Sequence, residues 1–274
     1  LLSALLVSVL SSSYVMADTE LHGVMCGGEI RVADQDVVDQ FMADNPGVNV
    51  TMEAVPWGTC QDKVINLAIA GDPVSFSYIG SRTLKGLAEN GHIVAVDIPD
   101  SQKKMYQPGI LGTVTHLGKI WGYPHAFSTK ALFMNCGILE QAGLACEGPQ
   151  TWDELYSMAE TIKNNTGIAG IGLCGKDFDN TMHQFLNYLY SNGGQVIDPD
   201  TNSITLNSSN TVETLEFYAK LANVSQEGPL AWERSQLTEL FNDEKIAMYI
   251  NGPWGRGQHG EGLNVKTVRI PAGP

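Results

Sequence analysis

The sequence has little positive charge. It contains 16 lysine and arginine residues against 30 aspartate and glutamate residues, so its formal net charge over 274 residues is −14. This balance argues against nucleic acid or an anionic membrane surface as the main partner, because both attract basic proteins. It also disfavours a strongly anionic ligand, although a local field can reverse the overall sign. Beyond the N-terminus there is no apolar run long enough to cross a bilayer.

The common catalytic motifs are missing as well. We find no Gly-x-Ser-x-Gly, no His-Glu-x-x-His and no phosphate-binding loop with Lys-Ser or Lys-Thr. The string from Gly255 to Gly260 matches the dinucleotide fingerprint, but it lies in a glycine-rich turn, where chance is the better explanation. The acidic residues near Asp177 are not accompanied by a general acid in an apolar setting, as a glycosidase requires. The sequence therefore predicts a protein that is not an enzyme and carries no cofactor.

Five cysteines are present, and no pair of them has the spacing of metal ligands, which argues against zinc. Cys136 and Cys146 flank a short predicted helix and could form a disulfide. Cys26 and Cys60 could meet if both stand at the ends of neighbouring strands. Buried reduced thiols are an equally good interpretation of these cysteines.

The first residues have the composition of an export signal. Leu1–Leu10 is apolar, and Val15-Met16-Ala17 has the pattern of a signal-peptidase site. We therefore expect residues 1–17 to be a signal peptide that lacks its n-region and is removed after Ala17. This predicts a soluble, exported protein.

Strand and helix patterns alternate in the first part of the chain. Alternating apolar residues predict strands over 22–26, 48–55 and 75–79, and helical spacing predicts a helix after each of them. This order implies a parallel sheet with right-handed crossovers. Ligands of such sheets lie beyond the carboxyl ends of the strands. The residues at these ends include Glu29, Trp57, Ser81 and Arg82.

The segment Leu117–Asn135 organises the rest of the sequence. Its strand pattern stops at Pro124 and resumes with the apolar run Ala131–Met134, which predicts a strand that leaves one sheet and enters another. His125 and Ser128 would then lie between two domains, where small-ligand sites are common. An ordinary strand–loop–strand without a ligand explains the segment equally well.

A second α/β pattern follows this segment. Thr151 and Glu154 have the spacing of a capping box at the start of a predicted helix. Further strands are predicted over 168–173, 246–250 and 265–270. The sequence thus predicts a second α/β lobe.

Three stretches also carry a family resemblance, and they occur in the family's order: NPGVNVTMEAVPWGTCQDKVINLAIAGDP, GKIWGYPHAFSTKALFMNCGILEQAGL and LTELFNDEKIAMYINGPWG. They resemble the extracellular solute-binding proteins of ABC importers, in the sugar-binding family of the maltose-binding type. The Gly-Pro-Trp of the third stretch is the most specific match. The similarity extends from about residue 20 to the end of the sequence.

This resemblance implies a periplasmic-binding-protein-like fold of two α/β lobes with a ligand cleft between them. We expect the first lobe to comprise residues 18–123, joined by a strand within 263–274 that returns to it, and the second to comprise 124–262. A further C-terminal segment completes both lobes in the family, so we expect the sequence to be a fragment.

The implied function is that of the substrate-binding component of an ABC import system. A monomer would capture a sugar or polyol by hinge closure and deliver it to the permease subunits in the membrane. Alternatives are an exported glycan-acting hydrolase and a binding protein for a non-sugar solute such as a glycerol phosphate.

The resemblance also implies ligand-binding residues. Trp254 matches the Trp of the family's Gly-Pro-Trp motif, which stacks on the sugar, although it could instead be a core Trp near the hinge. Ser81 and Arg82 stand where the maltose-binding type has an Asp-Arg pair, and Arg82 could instead pair with a nearby carboxylate. Ser128 stands at the position of a ligand-binding Glu. The two Ser replacements weaken the acceptors and predict a ligand other than maltodextrin.

The remaining candidates are His125, Trp57, Glu29, His183 and Asp179. His125 could donate to a ligand, and Trp57 lies either in the cleft or in hinge packing. Glu29 stands where the family often places a polar contact. His183 falls near the position of a stacking Tyr, and Asp179 lies in a loop whose carboxylates are often merely solvated.

Overall fold

A computed structural model describes residues 19–198 and 200–274 of the chain. The predicted signal peptide, residues 1–17, lies outside the described residues. The chain divides into two compact units, the first ending at Phe127 and the second beginning at Ser128. In the described part of the chain, no helix is both long and apolar enough to cross a membrane.

The first unit contains a sheet of three parallel strands in the order β2-β1-β3, which confirms the predicted parallel sheet. These strands are β1 (Thr19–Cys26), β2 (Val48–Val55) and β3 (Phe76–Tyr78). The helices after them are α1 (Val32–Asp44), α2 (Trp57–Ile69) and α3 (Ser81–Glu89). Short elements follow: α4 (Asp100–Lys103), α5 (Pro108–Gly112), β4 (Thr115–His116) and β5 (Lys119–Ile120). Cys26 lies opposite Val55 and Met25 opposite Tyr78, so the carboxyl ends of the strands meet at one edge.

A disulfide joins the end of β1 to α2. Val24 and Cys26 of β1 are buried with Cys60 of α2 in a small apolar core. The Cα atoms of Cys26 and Cys60 lie 5.4 Å apart, and their sulfur atoms are bonded. Cys136 and Cys146 form a second disulfide, so bridging is the interpretation that the structure shows for both pairs.

The second unit is built on an antiparallel sheet in the order β7-β6-β8. Its strands are β6 (Ala131–Asn135), β7 (Met248–Asn251) and β8 (Val265–Val268). Its helices are α6 (Cys136–Gln141), α7 (Trp152–Thr166), α8 (Asp179–Ser191), α9 (Ser209–Leu221), α10 (Arg234–Asn242) and the short α11 (Gly255–Gln258).

The position of β8 contradicts the prediction that a strand within residues 263–274 returns to the first lobe. β8 pairs with β6, with Val265 opposite Asn135, and Ala272 then bridges to Thr151 in the same unit. The reason is that β7 occupies one edge of β6 only. The other edge presents backbone N–H and C=O groups that the next extended segment satisfies.

The predicted strand over 168–173 forms isolated parallel bridges, such as Ala169 to Ile246, in place of a continuous ladder. The segment lies very close to α7. A Cβ added at Gly170 would come within 2.2 Å of the Ala159 carbonyl oxygen, so only glycine permits this approach.

The start of α7 confirms the cap predicted at Thr151. The Thr151 hydroxyl accepts from the Glu154 N–H at 3.2 Å. The Glu154 carboxylate accepts from the Gln150 N–H at 2.6 Å. The first helical residue, Trp152, then enters the core and stacks on Phe217 with 4.4 Å between ring centres. The cap therefore satisfies free backbone N–H groups at the start of α7, next to the buried Trp152.

Candidate functional site

A polar and aromatic cluster lies where the strands of the first unit end. The Arg31 guanidinium donates to Asp34, with an Nε–Oδ2 distance of 2.9 Å. It also bonds to the Nε2 atom of His125, and its carbon lies 5.4 Å from the ring centre of Tyr78. Trp57, at the start of α2, has its ring centre 6.1 Å from that of Tyr78. We call these residues the first-unit cluster.

His125 has three neighbours in this cluster. Its ring meets Tyr78 edge-on at 4.8 Å between centres, and its Nε2 lies 3.3 Å from the Asp34 Oδ1. Burial lowers the pKa of His125, the Arg31 charge lowers it further, and the Asp34 carboxylate opposes both effects. The neutral imidazole accepts the Arg31 hydrogen bond at Nε2, which leaves the ring proton on Nδ1.

The other first-unit candidates follow strand ends as the sequence predicts. Ser81 and Arg82 are exposed in the first turn of α3, directly after β3. Glu29 is exposed in the loop between β1 and α1. Gly80, just before α3, packs towards Trp57, and an added Cβ would lie 3.5 Å from that indole. The parallel topology thus brings these residues to the same edge as the first-unit cluster.

In the second unit, Trp254 lies in the turn after β7 and is 42% exposed, which argues against the alternative of a core Trp. Two cations flank its ring. The Lys130 Nζ lies 4.9 Å and the Arg234 guanidinium carbon 5.2 Å from the ring centre, both within the range of cation–π attraction. Ser128 joins this group because its hydroxyl accepts from Lys130 Nζ at 3.2 Å. We call these four residues the second-unit cluster.

Both cations of the second-unit cluster are half-buried. Burial and, to a lesser extent, the Arg234 charge lower the pKa of Lys130 to about 8. Burial also lowers the pKa of Arg234, while the nearby Asp179 and Glu233 carboxylates act in the opposite direction. The two cations therefore differ in what surrounds them: carboxylates counteract the burial of Arg234, whereas burial and a second positive charge both lower the pKa of Lys130.

The starts of α8 and α10 supply these carboxylates. Glu233 caps α10 with its side chain and accepts from the Asn180 Nδ2 at 2.8 Å. Asp179 is the first residue of α8, and its negative charge acts to raise the pKa of Arg234. His183 lies one turn further along α8 and is half-buried. The structure thus brings the predicted Asp179 towards the second-unit cluster.

A cavity of about 400 Å³ opens on the sheet of the second unit, next to the turn that carries Trp254. Its lining combines apolar, hydroxyl and amide side chains, among them Ala131, Phe133, Thr129, Thr267 and Asn251. Within residues 19–198 and 200–274, no group of three or more His, Cys, Asp or Glu side chains could hold a metal ion. The second-unit cluster offers an aromatic stacking face and positive charge, and the cavity beside it offers hydroxyl and amide groups.

The sequence model of the bacterial extracellular solute-binding protein family matches residues 27–273. The chain belongs to this family. Its members are solute-binding proteins of transport systems rather than enzymes. The family resemblance drawn from the three sequence stretches is therefore confirmed.

Individual relatives agree with this membership. A binding protein of Brucella abortus (strain 2308) is 28% identical over 282 residues, covering 100% of this chain and 68% of that protein. The GacH receptor of Streptomyces glaucescens GLA.O, known unliganded and with acarbose, has a TM-score of 0.77 at 23% identity, covering 93% of this chain and 67% of that one. An ABC transporter solute-binding protein of Thermotoga lettingae TMO, bound with α-D-tagatose, also has a TM-score of 0.77 at 23% identity. The match covers 93% of this chain and 68% of that one. These likenesses confirm the predicted fold class of two α/β lobes.

Sequence reasoning missed five residues of the two clusters in this solute-binding protein: Arg31, Asp34, Tyr78, Lys130 and Arg234. Four of them had a usable signal. Tyr78 is the last residue but one of a predicted strand, and Lys130 lies two residues after Ser128. Arg31 and Asp34 follow the loop after the first strand. Arg234 had none, because it reaches Trp254 only through the tertiary packing of α10.

Proposed function

We propose that this solute-binding protein is the substrate-binding component of an ABC import system that captures a sugar or polyol. The exposed indole of Trp254, flanked by Lys130 and Arg234, carries the proposal. A flat aromatic face beside polar donors suits the apolar side and the hydroxyls of a sugar ring. Tyr78 with Arg31 offers the same combination in the first unit. The acarbose and α-D-tagatose complexes of proteins with this fold support the ligand class.

In this proposal the protein acts as a periplasmic monomer and delivers its ligand to the permease subunits. Trp254 stacks on the ligand, and polar contacts come from Ser128 and from the strand-end residues of the first unit. The two units close about the segment 124–128, so that the ligand gains contacts from both of them only in the closed form.

The test is a thermal-shift screen of the full protein against sugars and polyols, including acarbose, D-tagatose and D-mannitol. A ligand at about 100 times its Kd should stabilise the protein by about 2.7 kcal/mol. The same ligand should reduce the radius of gyration in solution scattering.

Two results would contradict the proposal. An unchanged scattering profile at saturating ligand would exclude closure. Release of product from the same sugars would indicate a glycan-acting hydrolase instead of a transport receptor.

A further inference from the structure

Lys130 carries a half-buried ammonium group, and none of the salt bridges found among the described residues of the second unit includes it. It stands one residue before β6, with its Nζ 4.9 Å from the ring centre of Trp254. Its hydrogen bond goes to the neutral hydroxyl of Ser128, at 3.2 Å. Among the described residues of the second unit, no carboxylate forms an ion pair with it.

The second cation makes this situation less favourable. Arg234 lies 5.2 Å from the same ring centre, and its charge acts on Lys130. Asp179 and Glu233 counteract the effect of burial on Arg234, whereas the shift at Lys130 comes from its burial and from the Arg234 charge. Of these two cations, Lys130 is therefore the one that forms no salt bridge with a carboxylate in the part of the second unit that the structure describes.

A partly desolvated ammonium is unfavourable unless an anion pairs with it. An acidic substituent on the ligand would provide that anion at the edge of the Trp254 ring. One unbalanced charge suits a monoanionic carboxylate better than a doubly charged phosphate. The local field of the two cations would then prevail over the chain's net charge of −14.

We propose that the ligand is a hexose- or hexitol-derived acid and that Lys130 binds its carboxylate. This inference rests on the proposed function, since it specifies the ligand of the same site. Lys130 decides between acidic and neutral sugars, while Trp254 contacts the ring that both kinds share.

The test uses titration calorimetry on the full protein with matched pairs that differ in one carboxylate. The pairs are D-glucose with D-glucuronate, D-galactose with D-galacturonate, and D-glucitol with D-gluconate; D-glucose 6-phosphate represents the phosphate. We expect the acid of at least one pair to bind about 10–100 times more tightly than its neutral partner, as for a hydrogen bond to a charged group.

Substitutions then assign the preference to Lys130. In Lys130→Met the acid should bind no more than about three times as tightly as its neutral partner. Lys130→Arg should retain most of the preference for the acid. Lys220→Met is the matched control, because Lys220 also lies over an aromatic ring, 4.2 Å from the centre of Tyr156, but on the exposed side of α9. It should leave the preference unchanged. If Lys130→Met does not fold, Lys130→Gln replaces it.

The outcomes separate the inference from the proposed function. Neutral sugars that bind as tightly as their acids would overturn the inference and leave the proposed function standing. Tighter binding of D-glucose 6-phosphate than of D-glucuronate would overturn the carboxylate assignment. An acid preference that persists in folded Lys130→Met would remove Lys130 from the role. Absence of binding by every probe, together with a blank thermal-shift screen, would overturn both.

Discussion

The indole ring of Trp254 lies directly against the backbone of Gly252. A Cβ added at Gly252 would come within 2.3 Å of the indole carbons, a distance that real Cβ contacts essentially never show. The absence of a side chain at Gly252 therefore sets where the Trp254 ring packs. The ring position in turn sets its distances to Lys130 and Arg234.

We expect Gly252→Ala to displace the Trp254 ring and to weaken ligand binding by about 1–2 kcal/mol, because the stacking surface moves away from its cations. Calorimetry with the ligand found by the screen measures the loss, and tryptophan fluorescence reports the displacement. Gly257→Ala is the control, since nothing lies within 4 Å of a Cβ added there. Equal affinities for the two variants would mean that the ring position does not matter for binding.

Replacing Trp254 itself should affect binding more than folding. We expect Trp254→Ala to weaken ligand binding by about 1–3 kcal/mol, since it removes a stacking surface. The side chain is 42% exposed, so the free energy of unfolding should fall by less than for a core Trp. Trp152→Ala provides the comparison, because Trp152 is 4% exposed and should cost about 3–5 kcal/mol of stability. Urea unfolding and calorimetry of both variants measure the two effects, and full affinity in folded Trp254→Ala would remove this residue from the site.

Lys130 should lower stability in a pH-dependent way. Its pKa is about 8 in the folded protein against an ordinary value of 10.5. Below pH 8 both states carry the proton and the folded state bears the full cost of desolvation. Between these two values the folded protein releases the proton while the unfolded chain keeps it, so the stability of the natural protein rises with pH.

Lys130→Met should therefore unfold with a free energy about 1–2 kcal/mol higher at pH 7, a figure reduced for solvent screening of a half-buried group. The difference should shrink as pH rises from 8 towards 10. Urea unfolding at several pH values measures it, with Lys220→Met as the control. A difference that stays constant over this range would show that the charge of Lys130 is not its cause.

The two disulfides should contribute unequally because they close loops of different length. The sequence separation is 34 for Cys26–Cys60 and 10 for Cys136–Cys146. Loop-closure entropy predicts losses of about 4 and about 3 kcal/mol when each pair is replaced by Ala. Urea unfolding of the two double variants tests the order, and Cys174→Ala controls for the loss of a buried cysteine. A larger loss for the shorter loop would indicate that native contacts, rather than the constraint on the unfolded chain, dominate.

Local signals in the sequence were sufficient for much of the fold. The strand Val48–Val55 was predicted with its observed bounds, because apolar alternation and the flanking turn residues are local properties. The strand with which β8 pairs could not be predicted from local sequence. It depended on which edge of β6 was open, and a family expectation suggested the wrong lobe.

The candidate site shows the same division. Trp254 stands in a recognisable motif, so the sequence was enough to single it out. The contact of Arg31 with His125 spans 94 residues, and the approach of Arg234 to Trp254 depends on α10 packing beside β7. Charge compensation around a side chain is a property of the assembled core, and no periodicity in the sequence reports it.

Cys174 is buried in the second unit, and burial raises the pKa of its thiol to about 12. A thiolate is the species that attacks a disulfide, so this cysteine is chemically silent at neutral pH once its surroundings have packed. Before that moment the same sulfur can exchange with either bridge and scramble the pairing. Packing of the second unit's core around Cys174 thus protects the two disulfides from thiol–disulfide exchange. We therefore expect the yield of correctly bridged protein to depend on whether this core packs before or after the disulfides form.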